Sequence, residues 1–189
     1  MRTIFALVCL TTALLLGGCI SSDRPLLPGA KASFPLKDGT YVGGSSKNPE
    51  ARDDTIIVKR KSDDYLFTRT EHPKEYSQSK EDTKTLYTVR FQLLDEGHYV
   101  AQLRVVDKTA TPYKYVFVFL TDGVMEIYAA GCSRFLKSKH IMRAYDMIPK
   151  RDWPVCEAKS TDGLLDFMRD IPLVLKEITS LEYTMQPQP

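Results

Sequence analysis

Between residues 39 and 130 the chain alternates apolar and polar side chains in short segments, as strands do when one face lies in a core. In the clearest segment, 86–94, Tyr87, Val89 and Phe91 alternate with polar residues. Short turn signals separate the segments, and no helix-length pattern interrupts them. A parallel sheet would need crossovers of about a dozen residues. The pattern therefore predicts an antiparallel meander.

The predicted fold is mainly β, with the meander forming a barrel-like or sandwich domain. A C-terminal helix packed on this domain would bring it to the margin of the α+β class. Segment 113–120 is apolar on both faces, which predicts burial on both sides. Asp122-Gly123 is a strong hairpin signal. The predicted strands are 36–42, 55–61, 64–70, 86–94, 99–106, 113–120 and 124–130.

A C-terminal helix is expected over about 160–182, packed on the sheet. Ser160 is placed to cap its first turn, and an apolar stripe begins at Leu164 with helical spacing. Pro172 is expected to kink this helix or to open a second one. The stripe continues through Leu181.

The N-terminus has the three parts of an export signal. Arg2 provides a positive start, residues 4–16 form an apolar run, and Gly17-Gly18 are small. An apolar run of this length is too short to span a bilayer, which needs roughly 20 helical residues. The motif Leu16-Gly17-Gly18-Cys19 resembles the lipobox of bacterial lipoproteins.

The resemblance implies that residues 1–18 are removed and that Cys19 becomes the first residue, carrying diacylglycerol and an amide-linked acyl chain such as palmitate. Several acyl chains hold a protein on a membrane almost permanently. Ile20, in place of a retention aspartate, favours the outer membrane, facing the periplasm, over the inner membrane. Residues 19–37 are expected to be a Pro-rich tether, whose Leu26, Leu27 and Phe34 could dock onto the domain and order its last part, and 38–185 a single β-rich domain.

The charge balance argues against a nucleic-acid partner. The chain has 26 basic and 24 acidic residues, and removal of Arg2 with the signal leaves a formal net charge of +1. Nucleic-acid binders usually carry a clustered basic excess over the whole domain. The membrane is therefore the expected partner through the lipid, together with an envelope protein or an anionic envelope component.

Cys132 and Cys156 remain once the signal and the lipidated cysteine are set aside. In an exported protein such a pair indicates a disulfide. The alternatives are a metal pair, although CxxC spacing and a second pair are absent, and a reactive thiol, although no histidine is evidently paired with it.

A basic segment within this loop is the predicted interaction surface. Between residues 133 and 155 there are six basic and two acidic side chains, which gives a local formal charge of +4. Such a segment can bind lipid head groups or an acidic protein, but it can equally be a solvated loop. The candidate residues are Arg134, Lys137, Lys139, His140, Arg143, Lys150, Arg151 and Trp153.

Neither an enzyme nor a metal or cofactor site is predicted. The three histidines lack metal-binding spacing, and the GxSxG and SxxK motifs are absent. The expected function is noncatalytic binding of an envelope component. The alternative is a lipocalin-like carrier of an apolar molecule inside the sheet, which a hollow interior would favour and a solid core would disfavour.

Replacing the predicted lipidation site is expected to release the protein. Cys19→Ser leaves no thiol to accept diacylglycerol, so the protein should leave the membrane fraction and lose acyl-chain labelling. Fractionation and metabolic labelling measure both. Full labelling of the variant would contradict the lipid anchor.

The disulfide prediction concerns the thiol count under oxidising conditions. Cys132→Ser should expose one new thiol, that of Cys156, and should lower the melting temperature. The chain-entropy model gives a loop of about 25 residues roughly 3 kcal/mol of stabilisation. Two free thiols in the unreduced wild type would contradict the pairing.

Overall fold

The computed structural model describes residues 20–45, 54–72, 81–106, 111–128, 139–150, 155–170 and 180–186. The strands are β1 (Ile20–Ser22), β2 (Gly39–Ser45), β3 (Asp54–Lys61), β4 (Asp64–Glu71), β5 (Thr83–Asp95), β6 (His98–Val105), β7 (Tyr113–Thr121), β8 (Val124–Tyr128), β9 (Met147–Pro149), β10 (Cys156–Ala158) and β11 (Ser180–Met185). The helices are α1 (Lys139–Ala144) and α2 (Thr161–Asp170). The predicted mainly β class is confirmed.

Eight of these strands close into an antiparallel barrel. Their order is β6-β5-β4-β3-β2-β11-β8-β7, and a further pairing of β6 with β7 joins the two ends. Closure leaves no unpaired edge in the ring, which removes a site for unwanted strand addition. Three short strands, β1, β10 and β9, extend from β7 beside the barrel.

The meander prediction is confirmed at its turns and strands. Asp122 and Gly123 have φ values of 49° and 82°, as the mirror-image turns of two-residue hairpins require. β2 continues through Gly43 and Gly44 to Ser45, where the sequence indicated a loop, because β11 and β3 pair with it on either side.

The predicted C-terminal helix is correct at its start and wrong at its end. Gly163 N donates to Ser160 Oγ at 3.2 Å, so Ser160 caps α2 as expected. Residues 171–179 lie outside the described part of the chain, but Ser180–Met185 form strand β11. Leu181 and Tyr183 point into the barrel, so this stretch alternates with period two and not with the helical period.

Inward-facing aromatic rings fill most of the barrel. Tyr65, Phe67 and Phe91 are almost fully buried, and the ring centroids of Tyr65 and Phe91 lie 5.6 Å apart, edge to face. Rings in this geometry pack favourably beyond the area they bury. The centre of the barrel is therefore a solid core.

β7 is buried on both faces, as predicted. Val116 and Val118 face the barrel interior, whereas Tyr115 and Phe117 face an outer apolar cluster. α2 packs on this outer side through Leu164 and other buried residues. The middle of the strand, residues 115–118, has no solvent face because the barrel core lies on one side and the helix and N-terminal segment lie on the other.

The segment predicted as a tether over 19–37 instead packs on the barrel from residue 20. Ile20 and Leu27 are at most 1% exposed, and β1 pairs with both β7 and β10. The Gln102 side-chain oxygen accepts the backbone N–H groups of Leu26 and Leu27. Prolines exclude helix and central strand, but they do not prevent apolar neighbours from docking, so the packed part of the segment begins at Ile20 and not only in its last part.

Candidate functional site

The two ends of the barrel differ in the connections between strands that the structure describes. At one end, the turn end, residues 62–63, 96–97 and 122–123 make tight connections between strands. The connections at the other end, the pocket end, fall largely outside the described residues.

The N-terminal segment covers the turn end. The Phe34 ring packs against Tyr65 with centroids 5.8 Å apart, and the Arg60 guanidinium lies 3.6 Å above the Phe34 ring. The Tyr65 hydroxyl donates to the Leu36 carbonyl and accepts its N–H. These contacts leave the pocket end as the place to look for a ligand.

A cavity of about 350 Å³ lies just inside the pocket end, and we call it the mouth pocket. Its walls come from β5, β6 and β7, and most of its side chains are apolar. Among the described residues it is lined by Tyr87, Leu103, Val105, Thr111, Pro112, Lys114 and Val116.

A second, inner cavity of about 20 Å³ lies deeper in the barrel. Tyr87, Leu103 and Val116 line both cavities, so one layer of side chains separates them. A space of this size holds roughly one water molecule. The interior below the mouth pocket is therefore almost filled, which argues against a ligand enclosed deep in the barrel.

An ion cluster lies beside the inner cavity. Arg69 is 5% exposed and lines this cavity. Its Nη2 donates to Asp54 Oδ2 at 2.5 Å, and its Nη1 pairs with Glu71. The Tyr183 hydroxyl also donates to Asp54 Oδ2, at 3.1 Å. Arg69 Nε has no hydrogen-bond partner within the described chain, and a buried donor left in this state costs about 1–3 kcal/mol.

Gly43 allows this cluster to cross a strand. Tyr183 and Asp54 are on β11 and β3, with β2 between them, and Gly43 is the residue of β2 that pairs with both. A Cβ at position 43 would lie 1.7 Å from the Glu182 carbonyl oxygen. No side chain therefore stands between the Tyr183 hydroxyl and Asp54.

The cluster shifts the pKa values of its members. Burial opposes the charge on Arg69, but Tyr183, Asp54 and Glu71 outweigh burial and raise the pKa of Arg69. Burial, reinforced by Asp54, raises the pKa of Tyr183. Burial also raises the pKa of Tyr87, although Arg69 lowers it in part. Arg69 is thus held charged and both tyrosines are held neutral.

The structure places some of the predicted site residues and brings few together. Cys19, Cys132, Arg134, Lys137, Arg151 and Trp153 lie outside the described residues. Lys139 and His140 begin α1, and Arg143 is exposed near its end. Lys150 Nζ pairs with Asp23 at 3.2 Å. Cys156 is buried in β10. The disulfide and the basic surface remain predictions.

A histidine arrangement that the sequence did not indicate lies on the barrel's outer side. His72 Nδ1 lies 3.0 Å from Asp82 Oδ1, and its Nε2 lies 3.4 Å from Thr55 Oγ1. This order resembles a nucleophile, base and orienting acid. His72 and Asp82 are nearly half exposed, and they do not line the mouth pocket or the inner cavity. The described residues also contain no cluster of three metal-ligating side chains.

Comparison with known proteins gives no relative, because no family model, curated protein or solved structure matches this chain. Within the described residues, no helix is both long enough and apolar enough to cross a membrane.

Sequence reasoning missed the ion cluster, although a signal was present. Arg69 occupies the same alternating face of β4 as Tyr65 and Phe67, which are large and aromatic and are buried in the structure. An arginine on an apolar face indicates a buried partner. Its partner Asp54 lies opposite Glu71 in the register of β3 and β4, which are consecutive strands. Tyr183, in contrast, is distant in the sequence.

Tyr183→Phe is expected to change how stability depends on pH. Because the pKa of Tyr183 is raised on folding, the contribution of this residue to the free energy of unfolding is fully present below about pH 10 and is lost as pH rises further. Above pH 10, each tyrosine whose pKa is raised on folding makes the free energy of unfolding fall by about 1.4 kcal/mol more per pH unit.

The variant should lose about 1 kcal/mol at pH 7 with the hydrogen bond to Asp54, and its stability should fall less steeply above pH 10. Urea unfolding between pH 7 and pH 11 measures both effects. An unchanged slope in the variant would contradict the assignment.

Proposed function

We propose that this protein is a lipid-anchored bacterial envelope lipoprotein whose barrel binds a small amphipathic molecule noncatalytically at the mouth pocket. The observation that carries the binding proposal is the mouth pocket itself. It is lined by side chains of β5, β6 and β7 and of the two residues before β7, and its volume of about 350 Å³ falls in the range of roughly 300–1,000 Å³ that is usual for ligand sites.

The shape of the interior limits how the ligand lies. The inner cavity is too small for anything beyond a water-sized group, and the aromatic core fills the space below it. The apolar part of the ligand is therefore held at the pocket end and not deep inside the barrel. This differs from a lipocalin-like carrier with a hollow interior.

The proposed anchor and the docked N-terminal segment have a joint consequence. Ile20, which directly follows Cys19, is fully buried beside β7. A lipid on Cys19 would thus be attached without a spacer, and the barrel would lie against the bilayer surface. We also propose that the protein lies on the outer membrane and faces the periplasm, because Ile20, and not an aspartate, follows Cys19.

The second candidate is an interaction module that binds an envelope protein or an anionic envelope component through the basic segment. The solid core favours this candidate, since most of the interior has no room for cargo. Arg143 and Lys150 are its described members, and Lys150 already pairs with Asp23.

A pair of adjacent substitutions on β6 tests the mouth pocket. Val105 lines the pocket, whereas Val106 follows it and is 39% exposed. Val105→Trp should fill the pocket, and Val106→Trp adds the same side chain outside it. The wild type, extracted from membranes in polymer-bounded discs without detergent, should carry a stoichiometric amphipathic compound in native mass spectrometry.

Occupancy should fall at least about tenfold in Val105→Trp and persist in Val106→Trp, since a filled pocket loses the apolar contacts that supply affinity. Equal occupancy in the two variants would overturn the site. A wild type that carries no such compound, but co-purifies a stoichiometric protein or anionic polymer, would favour the second candidate.

A further inference from the structure

The unpaired Nε of Arg69 identifies the chemistry of the ligand's inner end. Arg69 is buried, and two of its three guanidinium nitrogens are engaged by Asp54 and Glu71. Nε is a donor with no partner among the described residues. Buried donors are nearly always paired in folded proteins, so an isolated one points to a group that the protein acquires.

The position of Arg69 relates this donor to the mouth pocket. Arg69 lines the inner cavity, which shares Tyr87 with the mouth pocket. The Tyr87 hydroxyl is close enough to Arg69 to interact with it. A small polar group from the mouth pocket therefore reaches the guanidinium only if the ligand displaces the Tyr87 ring that lies between them.

The charges around Arg69 select the kind of group. One guanidinium faces two carboxylates, so the cluster has a formal charge of −1. At Arg69 an anionic head group would meet excess negative charge, since the cation of Lys114 lines the mouth pocket and does not belong to this cluster. An ammonium group would bring further donors to an unpaired donor. An uncharged oxygen acceptor satisfies Nε without either conflict.

We infer that the ligand is an uncharged amphiphile whose hydroxyl, ester or amide oxygen accepts a hydrogen bond from Arg69 Nε, while its aliphatic part fills the mouth pocket. This inference rests on the proposed binding function. Arg69 is thereby the specificity-determining residue, and Asp54 and Tyr183 position it.

Matched eight-carbon probes test the inference on the wild-type protein. 1-Octanol, octanoate and octylammonium share one chain and differ in the head group. Isothermal titration at pH 7.5 should give 1-octanol an affinity at least about tenfold higher than that of either charged probe, as expected when one head group pairs and the others do not. Equal or tighter binding of octanoate or octylammonium would overturn the inference.

Arg69→Lys separates specificity from simple binding. Lysine keeps a cation beside Asp54 but has no Nε donor at that position. The variant should lose at least about tenfold in affinity for 1-octanol, whereas its affinity for octanoate should change less than threefold, because the charge of the cluster stays the same. An unchanged affinity for 1-octanol would overturn the role of Arg69. Should this variant fail to fold, Arg69→Met combined with Asp54→Asn, which leaves that pair without buried charge, has the same expected result.

Val105→Trp distinguishes failure of the inference from failure of the proposed function. It should weaken all three probes alike, because it fills the pocket and leaves the cluster intact. If no probe binds the wild type, or if Val105→Trp changes no affinity, then the proposed function fails and the inference fails with it. If the probes bind in the pocket without the octanol preference, the inference alone fails.

Discussion

The rest of the structure depends on the pairing of β11 between β2 and β8. This strand comes from the end of the described chain and completes the ring of eight. Without it, β2 and β8 would be open edges, and their inward faces would have no neighbour across the gap. Closure makes the solid aromatic core possible, and it brings Tyr183 across Gly43 to Asp54.

The barrel combines a filled core with a polar cluster near one end. Burial of an arginine and a carboxylate is expensive unless both are paired, and here Asp54, Glu71 and Tyr183 supply the pairing. The cluster and the mouth pocket lie at the same end of the barrel, separated by one layer of side chains. The proposed function therefore uses the pocket end, whereas the turn end is covered by the N-terminal segment.

Much of the fold could be predicted from local pattern. Alternation in 86–94 predicted β5, the two apolar faces of 113–120 predicted a strand between two cores, and Ser160 predicted the helix cap. The errors came from segments whose partners are distant. Prolines in 20–37 indicated a tether with only its last part docked, but Ile20–Ser22 already form a strand between β7 and β10. The apolar spacing through Leu181 fitted a helix, although pairing with β2 and β8 makes it a strand.

The sequence by itself determined the mainly β class, the hairpin order from β3 to β8 and the motif that resembles a lipobox, since these depend on neighbours within a few residues of one another. The candidate site was decided by tertiary structure. Arg69, Asp54 and Tyr183 meet because three strands place them in register, and the mouth pocket exists because the ring closes. Side-chain alternation specifies which residues point inward, but only closure specifies which inward residues face one another.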